Sequence, residues 1–209
     1  MTNVPFSVNG GAGLGVSMGR MAVGDDRALV EAWRRGDAGA VRRIVVEYGP
    51  VLTRVALALC PRVEDAEEVV QDALLRAHRA LDKFDERRGS LRSWLVAVAA
   101  NRAREVRRGI ARQGGLLARM RREPYVASVP PAAHADLALA RRRLAELPAR
   151  EREAFVLVEI EELSSSEAAR VMHVACSTVR VLVGRARRRL QDEPAHDPPR
   201  ALHVEGRGK

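Results

Sequence analysis

LSSSEAARVMHVACSTVRVLVGRARRRL, residues 163–190, is the stretch on which the reading of this chain turns. Ser164 to Ser166 offer N-cap hydroxyls, and Glu167 stands three residues after Ser164 as a capping-box partner, so a short helix opens there and ends near Met172. A turn of about four residues follows. Ser177 and Thr178 then open a second helix, in which Val179, Val183, Ala186 and Leu190 recur at spacings of 4, 3 and 4. That stripe can pack while Arg180, Arg185, Arg187, Arg188 and Arg189 project elsewhere. A helix-turn-helix of this kind can place its second helix in a major groove, N-terminal residues on base edges and later arginines on phosphates. The same pattern also describes two packed helices of an ordinary bundle with a solvated basic face.

Composition favours the first alternative. The chain has 209 residues, 36 Lys+Arg against 27 Asp+Glu, and a net charge of +9, which suits a polyanionic partner. With 46% hydrophobic but only 3% aromatic residues, its cores are built from Ala, Val and Leu on helices, and an all-α fold of two helical domains is expected. No run reaches the roughly 18 apolar residues of a membrane span, because Thr53 and Arg54 interrupt Val51 to Cys60. No membrane partner and a cytoplasmic location are expected.

The first helical domain is placed at 25–109, with breaks at Gly36, Gly49-Pro50, Pro61 and the turn from Asp85 to Ser90. Within it Val63, Ala66, Val69, Val70, Ala73, Leu74, Ala77 and Leu81 form one stripe, leaving Glu64, Glu67, Glu68, Gln71 and Asp72 on other faces. Carboxylates favour a helix N-terminus, which accounts for Glu64 and Asp65 but less well for Glu68 and Asp72. The alternative is a surface for a basic protein partner. Ser90 caps the next helix, whose Trp94 reads as core and whose end carries Arg102, Arg104, Arg107 and Arg108 beside Asn101. Those arginines fit either the helix C-terminal dipole or a nucleic-acid face.

Residues 110–135 read as a basic flexible linker, with Gly114-Gly115, Pro124 and Pro130-Pro131, able to span up to roughly 90 Å. The second helical domain is placed at 136–191. The tails, 1–24 and 192–209, read as disordered. Translation could also begin at Met18 or Met21. Cys60 and Cys176 form no paired motif and read as free thiols. His173 and Cys176 have ligand spacing but no further ligands nearby, so no metal is assigned. Gly10 to Gly15 has no strand before it or helix after it, and no nucleophile arrangement appears. Neither a cofactor, a small-molecule substrate nor an enzymatic activity is therefore expected.

The residues Asp65-Ala66-Glu67-Glu68-Val69-Val70-Gln71-Asp72, Lys83-Phe84-Asp85, Gly89-Ser90, Trp94-Leu95 and Asn101 form one ordered set. Leu144-Ala145-Glu146-Leu147-Pro148, Arg152-Glu153-Ala154, Leu163-Ser164, Glu167-Ala168-Ala169 and Thr178-Val179-Arg180 form a second. Together they resemble the extracytoplasmic-function group of bacterial sigma factors over most of 25–191. The resemblance implies core RNA polymerase and promoter DNA as partners, and an anti-sigma factor as inhibitor. It implies polymerase binding by Asp65, Glu68, Gln71 and Asp72. Contacts to the minus-ten element would come from Arg88, Ser90, Asn101, Arg102, Arg104 and Arg108. Contacts to the minus-thirty-five element would come from Ser177, Thr178, Arg180, Val181, Arg185 and Arg188.

The chain departs from the group where His173 replaces a usual turn glycine, where Val181-Leu182 replaces a common Ser-Arg pair, and where Ala100 replaces an arginine. A left-handed His173 is expected, and Val181-Leu182 is read as an extension of the core, with contact to thymine methyls or to a protein partner as the alternatives. The basic linker also differs from the acidic one usual in the group. Two rivals remain: a polymerase-independent helix-turn-helix regulator, and a degenerate sigma-like protein that binds polymerase without reading a promoter well.

Overall fold

The computed structural model describes residues 23–112 and 131–192. Among them the secondary structure is entirely helical: α1 (Val23–Arg34), α2 (Ala38–Leu59), α3 (Val63–Arg79), α4 (Leu91–Arg112), α5 (Pro131–Glu146), α6 (Ala149–Phe155), α7 (Ser165–Met172) and α8 (Cys176–Gln191). Short 3-10 turns at Leu81–Lys83 and Glu86–Arg88 join α3 to α4, and a π-type turn, Val156–Ile160, prolongs α6.

Helices α2, α3 and α4 pack mutually, with α1 laid on α2. Gly36, at φ +75°, ends α1 in a conformation open to glycine, and the Asp37 carboxylate caps α2 by accepting from the Ala40 amide at 2.9 Å. The expected break at Gly49-Pro50 does not occur, since α2 runs through it. The reason is the stripe Ile44, Tyr48, Val51, Leu52 and Val55, all buried, which continues at helical spacing across the proline. Pro50 lies on the solvent side, where water can satisfy the carbonyl its ring leaves unpaired. In α3 the expected stripe is the packed one, with Ala66, Val69, Ala73 and Ala77 buried.

The start of α4 is held from far away. Asp26 of α1 accepts from the Leu91 amide at 3.1 Å and from the Tyr48 hydroxyl at 3.1 Å, while Ser90 accepts from the Ser93 amide at 3.2 Å. Burial, with the Asp26 carboxylate beside it, pushes the Tyr48 phenol up and keeps it a donor. Trp94 stacks obliquely on Phe84, ring centres 5.5 Å apart, consistent with a packing role.

In the C-terminal half α6 and α7 both pack on α8. Ser164 and Glu167 form the expected capping box, and His173 closes α7 in the left-handed conformation at φ 54°, ψ 49°. Helix α8 starts one residue before the expected serine, with Ala175 as its cap. Val179, Val183 and Ala186 are buried, whereas Leu190 packs only in part. The expected core role of Val181 is overturned: it is 51% exposed, and only Leu182 packs in part. Cys60 and Cys176 are free thiols.

Residues 110–112 belong to α4 and 131–135 to α5, so both helices extend into the stretch read as linker. The rest of it, 113–130, lies outside the described residues, as do 1–22 and 193–209, where most of the two expected tails fall. The two halves do not stand apart: α2 meets α5 and α6, and α4 meets α7.

Candidate nucleic-acid interface

Helix α8 presents Ser177, Thr178, Arg180, Val181, Arg185 and Arg188 to solvent, all six exposed. Its five arginines fall into two classes. Arg187 reaches Glu159 at 2.7 Å and Arg189 reaches Glu151 at 2.9 Å, so these two tie α8 to α6 and its π-type turn. Arg180, Arg185 and Arg188 make no ion pair among the described residues; Arg180 touches the Cys176 sulfur at 3.5 Å and Arg188 its own Gly184 carbonyl at 3.4 Å. Gly184 lies between them, and a Cβ built there would meet nothing within 4 Å. The unpaired cations therefore share a face with the helix N-terminus, whose free amides add positive potential.

The acidic face of α3 is less uniform than its sequence. Asp65 is buried and accepts from Arg62 at 2.6 and 3.0 Å, so it fixes the start of α3 and leaves the docking set. Glu64, Glu67, Glu68 and Gln71 are exposed. Asp72 is flanked by Arg76 at 3.2 Å and by Arg102 at 2.5 Å, and Glu68 also receives Arg102 at 3.2 Å. Leu75, one turn beyond Gln71, is 55% exposed. Sequence reasoning passed over it because an isolated apolar residue on a polar face breaks no periodicity.

The residues expected at the minus-ten element divide three ways. Arg88, Ser90 and Arg108 are exposed, and Asn101 is half-buried. Arg102 belongs to the acidic face, as just described. Arg104 is turned into a seam between the two halves, where it is 8% exposed and donates to Glu153, to the Val171 carbonyl at 3.1 Å and to Asn101 at 2.7 Å. In this arrangement neither Arg102 nor Arg104 is free for DNA.

The seam is the feature that sequence reasoning missed. Glu161, fully buried, accepts from Arg54 Nε and Nη2 at 2.9 and 3.1 Å and from Arg92 Nη2 at 2.6 Å, while its carbonyl accepts from Arg92 Nη1 at 2.7 Å. Arg170 of α7 donates to the Arg88 carbonyl, and Arg141 of α5 donates to the Leu57 carbonyl at 3.2 Å. Helix α7 is thus tethered to the turn at Arg88, whose side chain stays exposed. The one available signal was Glu153 and Glu161 at the two ends of the largely apolar stretch 154–160, since a carboxylate at a core position needs a buried partner. No helix among the described residues is long and apolar enough to cross a membrane.

Two family models match the chain: sigma-70 region 2 over residues 44–113 and sigma-70 region 4 over residues 137–190. The RNA polymerase sigma factor CnrH of Cupriavidus metallidurans is 31% identical over 180 residues, covering 79% of this chain and 92% of that one. The ECF RNA polymerase sigma factor SigD of Mycobacterium tuberculosis is 30% identical over 174 residues, covering 79% and 82%. Among solved structures, CnrH in complex with the cytosolic domain of CnrY superposes with a TM-score of 0.61 at 30% identity, covering 79% of this chain and 94% of that one. The sigma factor RpoE in complex with the anti-sigma factor NepR, from Bartonella quintana, gives a TM-score of 0.62 at 28% identity, covering 72% and 93%.

Proposed function

The chain belongs to the extracytoplasmic-function group of sigma-70 factors, which direct RNA polymerase in transcription initiation, and on that premise we propose how its surfaces share the task. The unit 25–109 serves core polymerase and the minus-ten element, and the unit 136–191 serves the minus-thirty-five element. On α3, Glu68, Gln71 and Asp72 meet a basic polymerase surface, with Leu75 as an apolar centre and Glu64 and Glu67 as rim. On α8, Ser177, Thr178, Arg180 and Val181 meet base edges, while Arg185 and Arg188 meet phosphates. Arg88, Ser90, Asn101 and Arg108 act on the melted strand.

The observation that carries this reading is the division of the α8 arginines, all of them exposed: Arg180, Arg185 and Arg188 have no carboxylate partner among the described residues, whereas Arg187 and Arg189 are paired with Glu159 and Glu151. The bond-making chemistry is the polymerase's, and this chain works beside it in the cytoplasm without a cofactor. By analogy with the complex of RpoE and the anti-sigma factor NepR, an anti-sigma factor is its partner when it is idle.

Run-off transcription with core polymerase on the DNA upstream of its own gene tests the reading. Gln71→Ala and Glu68→Ala should lose co-elution with core, whereas Arg180→Ala and Arg185→Ala should keep co-elution and lose the transcript. Wild-type protein that neither co-elutes with core nor yields a transcript would overturn the assignment of surfaces.

A further inference from the structure

The packed stripe of α8, Val179, Val183, Ala186 and Leu190, has a counterpart two residues back: Ser177, Val181, Gly184 and Arg188 recur at the same spacings of 4, 3 and 4. At about 100° per residue, a shift of two residues carries this second line roughly 200° round the helix, so it runs along the middle of the outward face. What the line offers is uneven. Ser177 opens it with a hydroxyl and Arg188 closes it with a cation, but between them stand an isopropyl group and a bare backbone. Val181 is 51% exposed, and a Cβ at Gly184, one turn on, would meet nothing within 4 Å. Arg180 and Arg185 stand on either side of Val181, both exposed and without carboxylate partners among the described residues. The centre of the face is therefore an apolar spot in a cationic frame, which suits a polyanion that carries an apolar group of its own.

Duplex DNA carries such a group in one base. In the major groove guanine, adenine and cytosine present hydrogen-bonding groups, and thymine adds a methyl group beside its one acceptor. The valine side chain neither donates nor accepts, so a polar base edge pressed against Val181 loses water and gains no partner. A thymine methyl is removed from water by the same contact at no such cost. We propose that Val181 is a specificity-determining residue that selects thymine at one position of the minus-thirty-five element through its 5-methyl group, Gly184 letting the helix backbone come close enough for the contact. The inference rests on the reading of α8 as the helix that enters the groove, and it adds which base the middle of that helix prefers.

The test uses the full chain with core polymerase and a duplex that this holoenzyme selects from a pool randomised across the minus-thirty-five region upstream of its own gene. Each thymine of the selected duplex is replaced singly by uracil, which removes the methyl group and keeps the base pair. At one position wild type should bind uracil roughly four-fold more weakly than thymine, the effect of one methyl group returned to water. Val181→Ala should narrow that ratio to near 1, and selection with this variant should no longer enrich thymine there. Arg185→Ala, which removes a phosphate contact, should weaken both duplexes equally and keep the ratio. Uracil that costs nothing at any position, or as much with Val181→Ala as with wild type, overturns the proposal; weakened binding by Arg185→Ala in the same assay would still leave α8 in the groove. If no duplex is enriched, or if Arg185→Ala and Val181→Ala both bind like wild type, the groove reading fails and the proposal falls with it.

Discussion

Replacing Glu161 by Gln should loosen the two halves of the molecule without unfolding either. The carboxylate accepts three guanidinium hydrogen bonds, from Arg54 and Arg92, across residues separated by 107 and 69 positions. Removing one partner of a fully buried ion pair costs about 3 to 5 kcal/mol. Here the arginine side chains remain 49% and 36% exposed, so water recovers part of that loss, and about 2 kcal/mol is the appropriate figure. Glutamine keeps the shape and one acceptor oxygen, which excludes a cavity as the cause. A change of about 2 kcal/mol moves the ratio of closed to open molecules roughly 30-fold.

Small-angle scattering should then show a larger radius of gyration for Glu161→Gln than for wild type. Hydrogen exchange should rise at Arg88 and Gly89, the turn that Arg170 of α7 tethers, and not in the α2–α4 core. The protein alone should bind a minus-ten single strand more tightly, by up to roughly 30-fold where closure is the obstacle. Glu162→Gln, one residue on and exposed, is the control. If Glu161→Gln matches Glu162→Gln in radius, exchange and strand affinity, the ion pairs do not hold the halves together.

Further outcomes follow from single residues. His173→Gly relieves a left-handed strain of about 1 to 2 kcal/mol but restores glycine's chain entropy of about 0.5 to 1 kcal/mol, so melting should rise by roughly 2 °C; a lower melting temperature contradicts the account. Gly184→Ala should stabilise α8 by about 1 kcal/mol, since its Cβ meets open space, yet weaken binding to a minus-thirty-five duplex, and undiminished affinity would show that no DNA atom approaches Gly184 closely. Burial pushes the Cys60 thiol from its ordinary value of 9.0 to about 12, so alkylation of folded protein at neutral pH should fall on Cys176 alone. The same raised value makes the folded form hold its proton longer than the unfolded form. The stability it contributes is present below pH 9.0 and is lost progressively as the pH climbs to about 12, which urea melts in that window would detect and a Cys60→Ala variant would lack.

What the sequence discloses is what is local. The capping box at Ser164 and Glu167 and the stripe of α8 depend on residues within a turn or two of each other, and pattern reasoning finds them; the left-handed His173 is expected instead from the resemblance, which has glycine there. The passage of α2 through Pro50 fails such reasoning because one missing hydrogen bond on a wet face weighs less than five buried residues. The seam escapes it altogether. Arg104 and Glu153 are 49 residues apart and Arg54 and Glu161 are 107 apart, so no periodicity links them. For that reason Arg102 and Arg104 read from sequence as part of one basic patch with Arg108, whereas in the fold they face an acidic helix, a seam and solvent respectively.

The basic run of α8 repeats this division on one helix, and salt can measure it. Each phosphate neutralised on duplex DNA contributes about −0.9 to the slope of log affinity against log salt concentration, so Arg185 and Arg188 on phosphates give about −1.8. Arg180, Arg185 and Arg188 are the three without carboxylate partners among the described residues, so Arg185→Ala should make the slope shallower by about 1 on a minus-thirty-five duplex. Arg187→Ala and Arg189→Ala should leave it unchanged, because their charges already face Glu159 and Glu151; they should lower the melting temperature instead. A net charge of +9 spread evenly as a coat would make all five substitutions equivalent in slope. Equal changes would therefore mean that the ion pairs to α6 and its π-type turn dissolve when DNA binds, and that what the helix offers DNA is charge and not a face.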